Sequence, residues 1–384
     1  MCKPLLSIVV PTKNRYIYLY SLIEQIASFN DERIELVIQD NSENNQEILD
    51  FLNLHKYSFI SYYWEKNALT MTENSDLAVS HANGDFVCFL GDDEVVSKYL
   101  IELVNKMNKK NIEAAIFNKG RYDWPGVQRL FIKYTSLMIP NFTCKCEYLN
   151  SADEFVSLMK RGGVTMGKLP SLYQGVVKKT VLDAIKNDLG TYFPSACPDM
   201  AVGVTLVFYL QKYINVNIPL ITSGASPKSA AGLGAKHQHK GKLSEMSFLP
   251  KDIEENWEKR IPKIWTGETI YADAIFSALK KMKKEEELKK FNYEYFYATF
   301  KMYEREYKSL LNSPDIKGNY NIIKTNLYFI GIFIQRIFWF IYNRTLRPLG
   351  ISGVKYINNI QNSFEAMKAV DIEIDKKTKG NIEI

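Results

Sequence analysis

The chain has 384 residues, of which 46% are hydrophobic and 24% are charged, and its formal net charge is +6. This length is enough for a large core, so we expect one catalytic domain and a smaller appendage. The positive charge is spread along the chain, without an arginine-rich arm, a zinc-finger pattern or an RNP pattern, which excludes nucleic acid as the expected partner.

The cysteines and the first residues predict a cytoplasmic protein. The five cysteines include no C-x-x-C pair, and Cys88 lies inside an apolar strand pattern, as is typical of a reducing compartment. The chain enters the strand pattern LLSIVV almost at once, without a basic n-region or a small-residue cleavage site, so we expect no export.

The first 124 residues alternate between strand and helix patterns. Apolar, β-branched runs predict the strands, and apolar residues at helical spacing predict the helices between them. This alternation predicts an α/β fold with a mostly parallel sheet flanked by helices on both faces. The predicted order is strand 5–10, helix 15–29, strand 34–42, helix 45–55, strand 59–67, helix 72–84, strand 85–94, helix 97–111 and strand 113–124.

Polar clusters follow three of the predicted strands, at Pro11–Arg15, Asp40–Ser42 and Gly91–Glu94. Each cluster alone is explained equally well as a turn. In parallel sheets, however, ligands bind outside the carboxyl ends of the strands, and three clusters on one edge favour a binding site. The last cluster contains three successive carboxylates at the exit of a buried strand, and a cation or sugar hydroxyls would satisfy them.

The composition and the predicted secondary structure change twice after residue 124. Residues 125–235 are rich in Gly and Pro and predict long functional loops, whereas helical patterns return after residue 250. We therefore expect a catalytic domain at 1–245, a helical extension at 246–320, an amphipathic membrane-associated or packing helix at 321–350 and a tail at 351–384.

Three segments, LSIVVPTKNR, LVIQDNS and ANGDFVCFLGDDE, resemble in this order the family 2 glycosyltransferases of the GT-A fold. The likeness is to bacterial surface-polysaccharide enzymes, including the abequosyltransferase-like branch, and covers about residues 1–240. It implies a GT-A (Rossmann-like) sheet with an α-helical C-terminal region, a nucleotide-sugar donor, UDP-sugar favoured, and a divalent cation, Mn²⁺ or Mg²⁺. Gly91 departs from the family pattern, because it stands where the D-x-D motif usually begins and only the second family aspartate remains.

The resemblance also implies roles for individual residues. Asp93 would bind the metal, and Asp92 would meet ribose or sugar hydroxyls. His237 or His239, in the loop SPKSAAGLGAKHQHKGK, would complete the metal coordination, although an exposed basic loop without a ligand is an equal alternative. The residues expected to contact the nucleotide are Pro11, Thr12, Arg15 and Asp40.

Asp199 is the candidate general base. The usual downstream Glu-Asp motif of the family is absent, and ACPDMAVGV takes its place. A carboxylate there could accept the proton of an attacking hydroxyl. Because an apolar helix pattern follows Asp199 directly, a helix cap is the alternative explanation.

The most apolar stretch of the chain is 326–350, interrupted at its centre by Gln335 and Arg336. Neither half is long enough to span a bilayer. Aromatic residues and flanking cations favour a helix lying on an anionic membrane surface, and a helix packed on the catalytic domain or on a dimer partner is the alternative.

These features together predict an inverting, metal-dependent glycosyltransferase at the inner face of the bacterial cytoplasmic membrane. Its acceptor would be a lipid-linked or growing glycan, as in O-antigen or capsule synthesis, and a homo-oligomer is left open. A soluble saccharide or polyol-phosphate acceptor remains an alternative, and so does a non-catalytic nucleotide-sugar-binding scaffold, which the lost first aspartate would favour.

Overall fold

The computed structural model describes residues 3–127, 136–235, 239–246, 248–345, 353–378 and 382. The strands are β1 (Leu6–Thr12), β2 (Ile34–Asp40), β3 (Ile60–Trp64), β4 (Phe86–Phe89), β5 (Val95–Val96), β6 (Ala114–Phe117), β7 (Gly120–Asp123), β8 (Ser136–Ile139), β9 (Cys146–Asn150), β10 (Gly175–Lys178), β11 (Lys212–Val216), β12 (Ile221–Ala225) and β13 (Lys355–Asn358). The α-helices are α1 (Tyr16–Phe29), α2 (Gln46–His55), α3 (Met71–Ser80), α4 (Leu100–Lys109), α5 (Ser151–Lys160), α6 (Lys179–Leu189), α7 (Pro198–Tyr209), α8 (Ala230–Ala235), α9 (Ile253–Asn256), α10 (Gly267–Lys281), α11 (Tyr293–Tyr303), α12 (Ile322–Thr345) and α13 (Ser363–Thr378).

Two sheets organise the α/β part of the chain. The larger has the order β3-β2-β1-β4-β10-β6-β11-β9, and β1 to β4 run parallel, so that their carboxyl ends share one edge. The smaller has the order β13-β8-β7-β12-β5. The predicted α/β class with a helical C-terminal region is confirmed.

The predicted strand 113–124 is in fact two strands. β6 pairs with β10 and β11 in the large sheet, whereas β7 pairs with β8 and β12 in the small one. The polar pair Asn118–Lys119 lies between them, and Asn118 N–H donates to the carbonyl of Val216 (3.1 Å). The chain therefore leaves the large sheet and enters the small one where the apolar run is interrupted, and Lys119 lies at this crossing.

Apolar clusters lie on both faces of the large sheet, and a further cluster belongs to the helical region. This last cluster joins side chains of α5 and α7 with those of α10 and α11. The helical region is thus packed directly against the helix that follows Asp199. Within the described ranges, no helix combines the length and hydrophobicity that crossing a bilayer requires.

Helix α13 folds back onto the α/β part of the chain and carries a buried carboxyl group, Asp371. Its carboxylate accepts the hydroxyl of Ser97 (2.5 Å) and the N–H of Lys98 (3.4 Å). Burial raises the pKa of Asp371 to about 6. Because the folded state then binds a proton more tightly than the unfolded chain, this group stabilises the fold fully below about pH 4, and that contribution is lost as pH rises through 6.

We expect Asp371→Asn to flatten the fall in stability between pH 4 and pH 7. Asparagine keeps the acceptor for Ser97 but does not titrate, so the variant gains up to about 3 kcal/mol relative to the wild type across this interval. Thermal unfolding of both proteins at each pH measures the difference. Melting curves that stay parallel from pH 4 to pH 7 would contradict the assignment.

Candidate functional site

The three polar clusters predicted at the strand ends do meet in space. Thr12 Oγ1, at the end of β1, donates to Oδ2 of Asp92 after β4 (2.8 Å). On the other side of β1, Asn14 N–H donates to Ser42 Oγ after β2 (2.7 Å), and Asn41 N–H donates to the Thr12 carbonyl (3.0 Å). The expectation that these residues share one edge of the sheet is confirmed.

Arg15 lies against two of the clustered carboxylates. Its Nη2 is 2.9 Å from Oδ1 of Asp92 and 2.8 Å from Oδ2 of Asp93. The two aspartates are only 2% and 4% exposed. Burial raises the pKa of Asp92 to about 7, with a further contribution from the charge of Asp93, although Arg15 opposes this rise. The site therefore concentrates negative charge that the guanidinium offsets only in part.

Asp93 is also fixed by the loop that follows β12. Oδ2 of Asp93 accepts both the N–H (3.0 Å) and the hydroxyl (2.6 Å) of Ser226. Gly224 permits this close approach, because a Cβ at that position would stand 1.9 Å from the Asp93 carbonyl oxygen. Every hydrogen bond and ion pair that the described residues make to this carboxylate ends on Oδ2. Oδ1 therefore has no partner among the described residues.

Glu94 is turned into the protein instead. Its carboxylate accepts the N–H of Gly91 (2.9 Å), the hydroxyl of Tyr173 (2.8 Å) and the amide of Gln174. Burial and the charge of Asp93 raise the pKa of Glu94 to about 7. Through these contacts Glu94 anchors the segment that precedes β10, around Tyr173 and Gln174, rather than facing a ligand.

Asp199 lies in the first turn of α7 but is not its N-cap residue. Cys197 occupies the N-cap position and makes no side-chain capping bond, and Pro198 follows it. Oδ1 of Asp199 accepts the thiol of Cys197 (3.0 Å), and Oδ2 accepts the hydroxyl of Tyr271 in α10 (3.1 Å). The helical region thus contributes Tyr271 directly to the orientation of this carboxylate.

Tyr173 and Lys119 connect Asp199 with the carboxylate cluster. Burial and the charges of Glu94, Asp93 and Asp199 together hold the pKa of Tyr173 well above its usual range. Lys119 donates to Oε1 of Gln174 (2.8 Å), and crowding by protein lowers its pKa, while the charges of Glu94 and Asp199 oppose that effect. The Lys119 side chain is nevertheless exposed. The charges of Asp199 and Glu94 therefore act on the same two side chains, Tyr173 and Lys119.

The other two residues predicted to contact the nucleotide, Asp40 and Pro11, differ in accessibility. Asp40 is fully buried, and its carboxylate accepts the hydroxyls of Tyr16 (2.6 Å) and Tyr62 (2.7 Å) and the N–H of Ser42 (2.8 Å). A ligand that contacted Asp40 would have to displace one of these donors. Pro11 is partly exposed near the end of β1.

The two histidines predicted as metal ligands are placed differently. His237 lies outside the described residues. Nε2 of His239 accepts the indole N–H of Trp265 (3.3 Å), its ring lies against Phe248, and burial lowers its pKa. Within the described part of the chain, no three His, Cys, Asp or Glu side chains form a group that could bind a metal ion.

Four residues of the site escaped sequence reasoning: Lys119, Tyr173, Ser226 and Tyr271. Ser226 had a weak signal, because it follows the strand pattern of β12 within a Gly- and Ser-rich stretch. Lys119 lies in the strand pattern 113–124 and Tyr271 in a helical pattern, whereas Tyr173 lies in the stretch 125–235 that predicts loops. None of these patterns indicates a position beside the site.

Comparison with known families identifies the region that contains the cluster. Residues 7–153 match the family model Glycosyl transferase family 2. The matched segment includes Thr12, Arg15, Asp92 and Asp93 but ends before Asp199. Together with the parallel strands and their shared edge, the match confirms the predicted GT-A fold.

Two curated proteins resemble parts of the chain. Over 122 residues the chain is 25% identical to the glycosyltransferase GlyG of Streptococcus pneumoniae serotype 4, covering 31% of this chain and 40% of that protein. Over 109 residues it is 31% identical to the GalNAc(5)-diNAcBac-PP-undecaprenol beta-1,3-glucosyltransferase of Campylobacter jejuni, covering 28% of this chain and 35% of that protein. The matched segments span less than half the length of either relative.

Solved structures of S. aureus TarS 1–349 resemble the chain more loosely. The complex with UDP-GlcNAc has a TM-score of 0.48 at 13% identity, covering 97% of this chain and 92% of that chain. The complex with UDP has a TM-score of 0.47 at 14% identity, covering 97% of this chain and 91% of that chain. At these scores the likeness assigns no ligand to the chain described here.

Proposed function

We propose that this protein is an inverting, metal-dependent glycosyltransferase that moves a sugar from a nucleotide donor, with a UDP-sugar favoured, to a lipid-linked or growing glycan of the cell surface. The observation that carries the proposal is the cluster of Thr12, Arg15, Asp92 and Asp93 at the carboxyl ends of β1 and β4. The family 2 match over the same residues supports it. The Pro198–Asp199 dipeptide supports a place near the abequosyltransferase-like branch.

The donor side of the site suits a diphosphate. Arg15 presents a guanidinium beside the two aspartates, and guanidinium groups match the geometry of phosphate oxygens. Thr12 is fixed by its bond to Asp92 and lines the same edge. We assign these two residues to the nucleotide, in a position where Arg15 can exchange one carboxylate partner for a phosphate.

The residues present fit a divalent cation bound jointly with the donor. Oδ1 of Asp93 is the oxygen left without a partner among the described residues, and hard cations prefer oxygen ligands. Mg²⁺-type sites commonly use one or two carboxylates together with substrate phosphates, so a cluster of three protein ligands is not required. When bound, such an ion offsets the negative charge that grows on the leaving diphosphate.

Asp199 is the residue we assign to the acceptor. The acceptor hydroxyl gives its proton to this carboxylate as its oxygen forms the new bond to the anomeric carbon and the bond to the diphosphate breaks. A single displacement of this kind inverts the anomeric centre. Tyr271 and Cys197 donate to the two oxygens of Asp199 and so fix its orientation, while lone pairs remain for the substrate.

A panel of nucleotide sugars tests the proposal in the full chain. We expect one donor to raise the melting temperature by a few degrees when Mn²⁺ is present, since a ligand at 100 times its dissociation constant adds about 2.7 kcal/mol of stability. We also expect slow Mn²⁺-dependent release of free sugar from that donor, which a non-catalytic scaffold would not show. A panel in which no nucleotide sugar shifts the melting temperature, with or without Mn²⁺, would refute the proposal.

A further inference from the structure

Helix α12 carries two different faces along its 24 residues. One face packs on α11, where Thr325 and Ile332 are buried and where Ile332 joins Ala298 and Met302 in a small apolar cluster. Beyond Ile332 every described side chain of the helix is exposed. The second half of α12 therefore extends past the surface that supports the first half.

The opposite face of α12 is an unbroken apolar stripe. Its members recur at intervals of four and three residues, and at 3.6 residues per turn they lie roughly 180° from Thr325 and Ile332. Their exposures range from 43% at Ile337 to 75% at Ile323. The stripe consists of Ile323, Leu327, Ile330, Ile334, Ile337 and Ile341.

Aromatic side chains widen this stripe. Phe333, Phe338 and Phe340 flank it and are exposed by 45%, 69% and 55%. The resulting apolar face is broader than the narrow seam of a two-stranded coiled coil, and an exposed patch of this kind marks an interaction surface.

The charge of α12 indicates what covers the apolar stripe. The helix contains Lys324, Arg336 and Arg344 and no acidic residue. The carboxylate facing this helix from α11 is Glu294, 3.4 Å from Lys324, whereas Arg336 lies over the ring of Tyr303. Arg336 is therefore on the protein side of the helix, away from the stripe, whereas at 3.6 residues per turn Lys324 and Arg344 lie nearer its two edges. A second copy of α12 would bring two more cations to these edges and no acid, whereas anionic lipid headgroups carry the opposite charge.

We infer that the apolar stripe of α12 and its flanking phenylalanines lie in the interface of an anionic bilayer. The helix is about 36 Å long and lies parallel to the membrane, with α11 and the catalytic part on its aqueous side. Apolar burial supplies the attachment, and the cations favour negatively charged lipid. This inference does not depend on the proposed activity.

Vesicle co-sedimentation of the full chain tests the inference. We expect binding to vesicles that contain phosphatidylglycerol, and binding at least about tenfold weaker to vesicles of phosphatidylcholine alone, since each of the two cations at the edges of the stripe contributes about 1 kcal/mol near an anionic surface. The double variant Ile334→Ser/Ile337→Ser should lose at least about tenfold in binding to anionic vesicles, because both side chains are exposed and have apolar surface to bury. Leu54→Ser, at a side chain 79% exposed on α2, is the matched control and should bind as the wild type does.

Three results would overturn the inference. The first is full-length protein that does not sediment with anionic vesicles. The second is equal binding of the double variant and the wild type. The third is a concentration-dependent oligomer in light scattering that the double variant dissociates and vesicles do not compete with, which would assign the stripe to a second copy of the chain.

Discussion

Asp93→Asn should abolish Mn²⁺-dependent donor binding while the fold persists. The substitution removes the charge of the carboxylate that we assign to the metal but keeps its volume and an oxygen that can accept from Ser226. Loss of outer partners of a metal site already costs about 10–100-fold in affinity, so loss of a direct ligand should weaken Mn²⁺-dependent donor affinity by at least about 100-fold. Calorimetric titration of the donor with and without Mn²⁺ measures this loss.

Asp92→Asn is the matched control for Asp93. Both residues are buried beside Arg15, but Asp92 bonds Thr12 through its other oxygen, whereas Oδ1 of Asp93 has no partner among the described residues. We expect the Asp92 variant to weaken donor binding about equally with and without Mn²⁺. If the two variants lose the same amount of Mn²⁺ dependence, the cluster attracts the ion by its total charge and Asp93 is not a specific ligand.

Asp199→Asn should lower kcat by about 10² or more with donor affinity preserved. Asparagine fits the same space and can still accept from Tyr271, but it cannot take a proton from the acceptor hydroxyl. Initial rates over a range of acceptor concentrations, together with donor titration, separate the two quantities.

Tyr271→Phe offers a graded comparison at the same carboxylate. It removes the hydroxyl that bonds Oδ2 of Asp199 at 3.1 Å but leaves the base itself, so we expect a several-fold fall in kcat. If Asp199→Asn retains activity and loses only thermal stability, Asp199 supports α7 and does not act as the base.

The strands of the fold were predictable because burial on both faces makes them continuous apolar runs. LSIVV, ELVI and FVCF became β1, β2 and β4, and their parallel order places three polar clusters on one edge. That rule needs only the direction of the strands, so it placed the cluster of Thr12 and the cluster of Asp92 on one edge although 80 residues separate these two side chains.

The remaining contacts of the site join residues that are far apart in the sequence. Hydrophobic periodicity predicts local structure and not such contacts. Ser226 reaches Arg15 across 211 positions, and Tyr271 reaches Asp199 across 72. Tyr271 lies in α10, whose sequence pattern shows only which face of the helix is buried. Ser226 lies in the loop after β12. The division of 113–124 into β6 and β7 was missed for a similar reason, because an apolar run shows where a strand forms but not which sheet it joins.

We propose that a nucleotide donor and a metal ion bind together at the edge formed by β1, β4 and the loop after β12. Crystals grown with UDP and Mn²⁺ and measured near the manganese absorption edge test it most directly. We expect an anomalous peak in contact with Oδ1 of Asp93. The diphosphate should lie between that peak and Arg15, and Asp199 and Tyr271 should lie on the opposite side of the donor. A UDP molecule bound away from Asp92 and Asp93, or a manganese peak that does not touch Asp93, would contradict it.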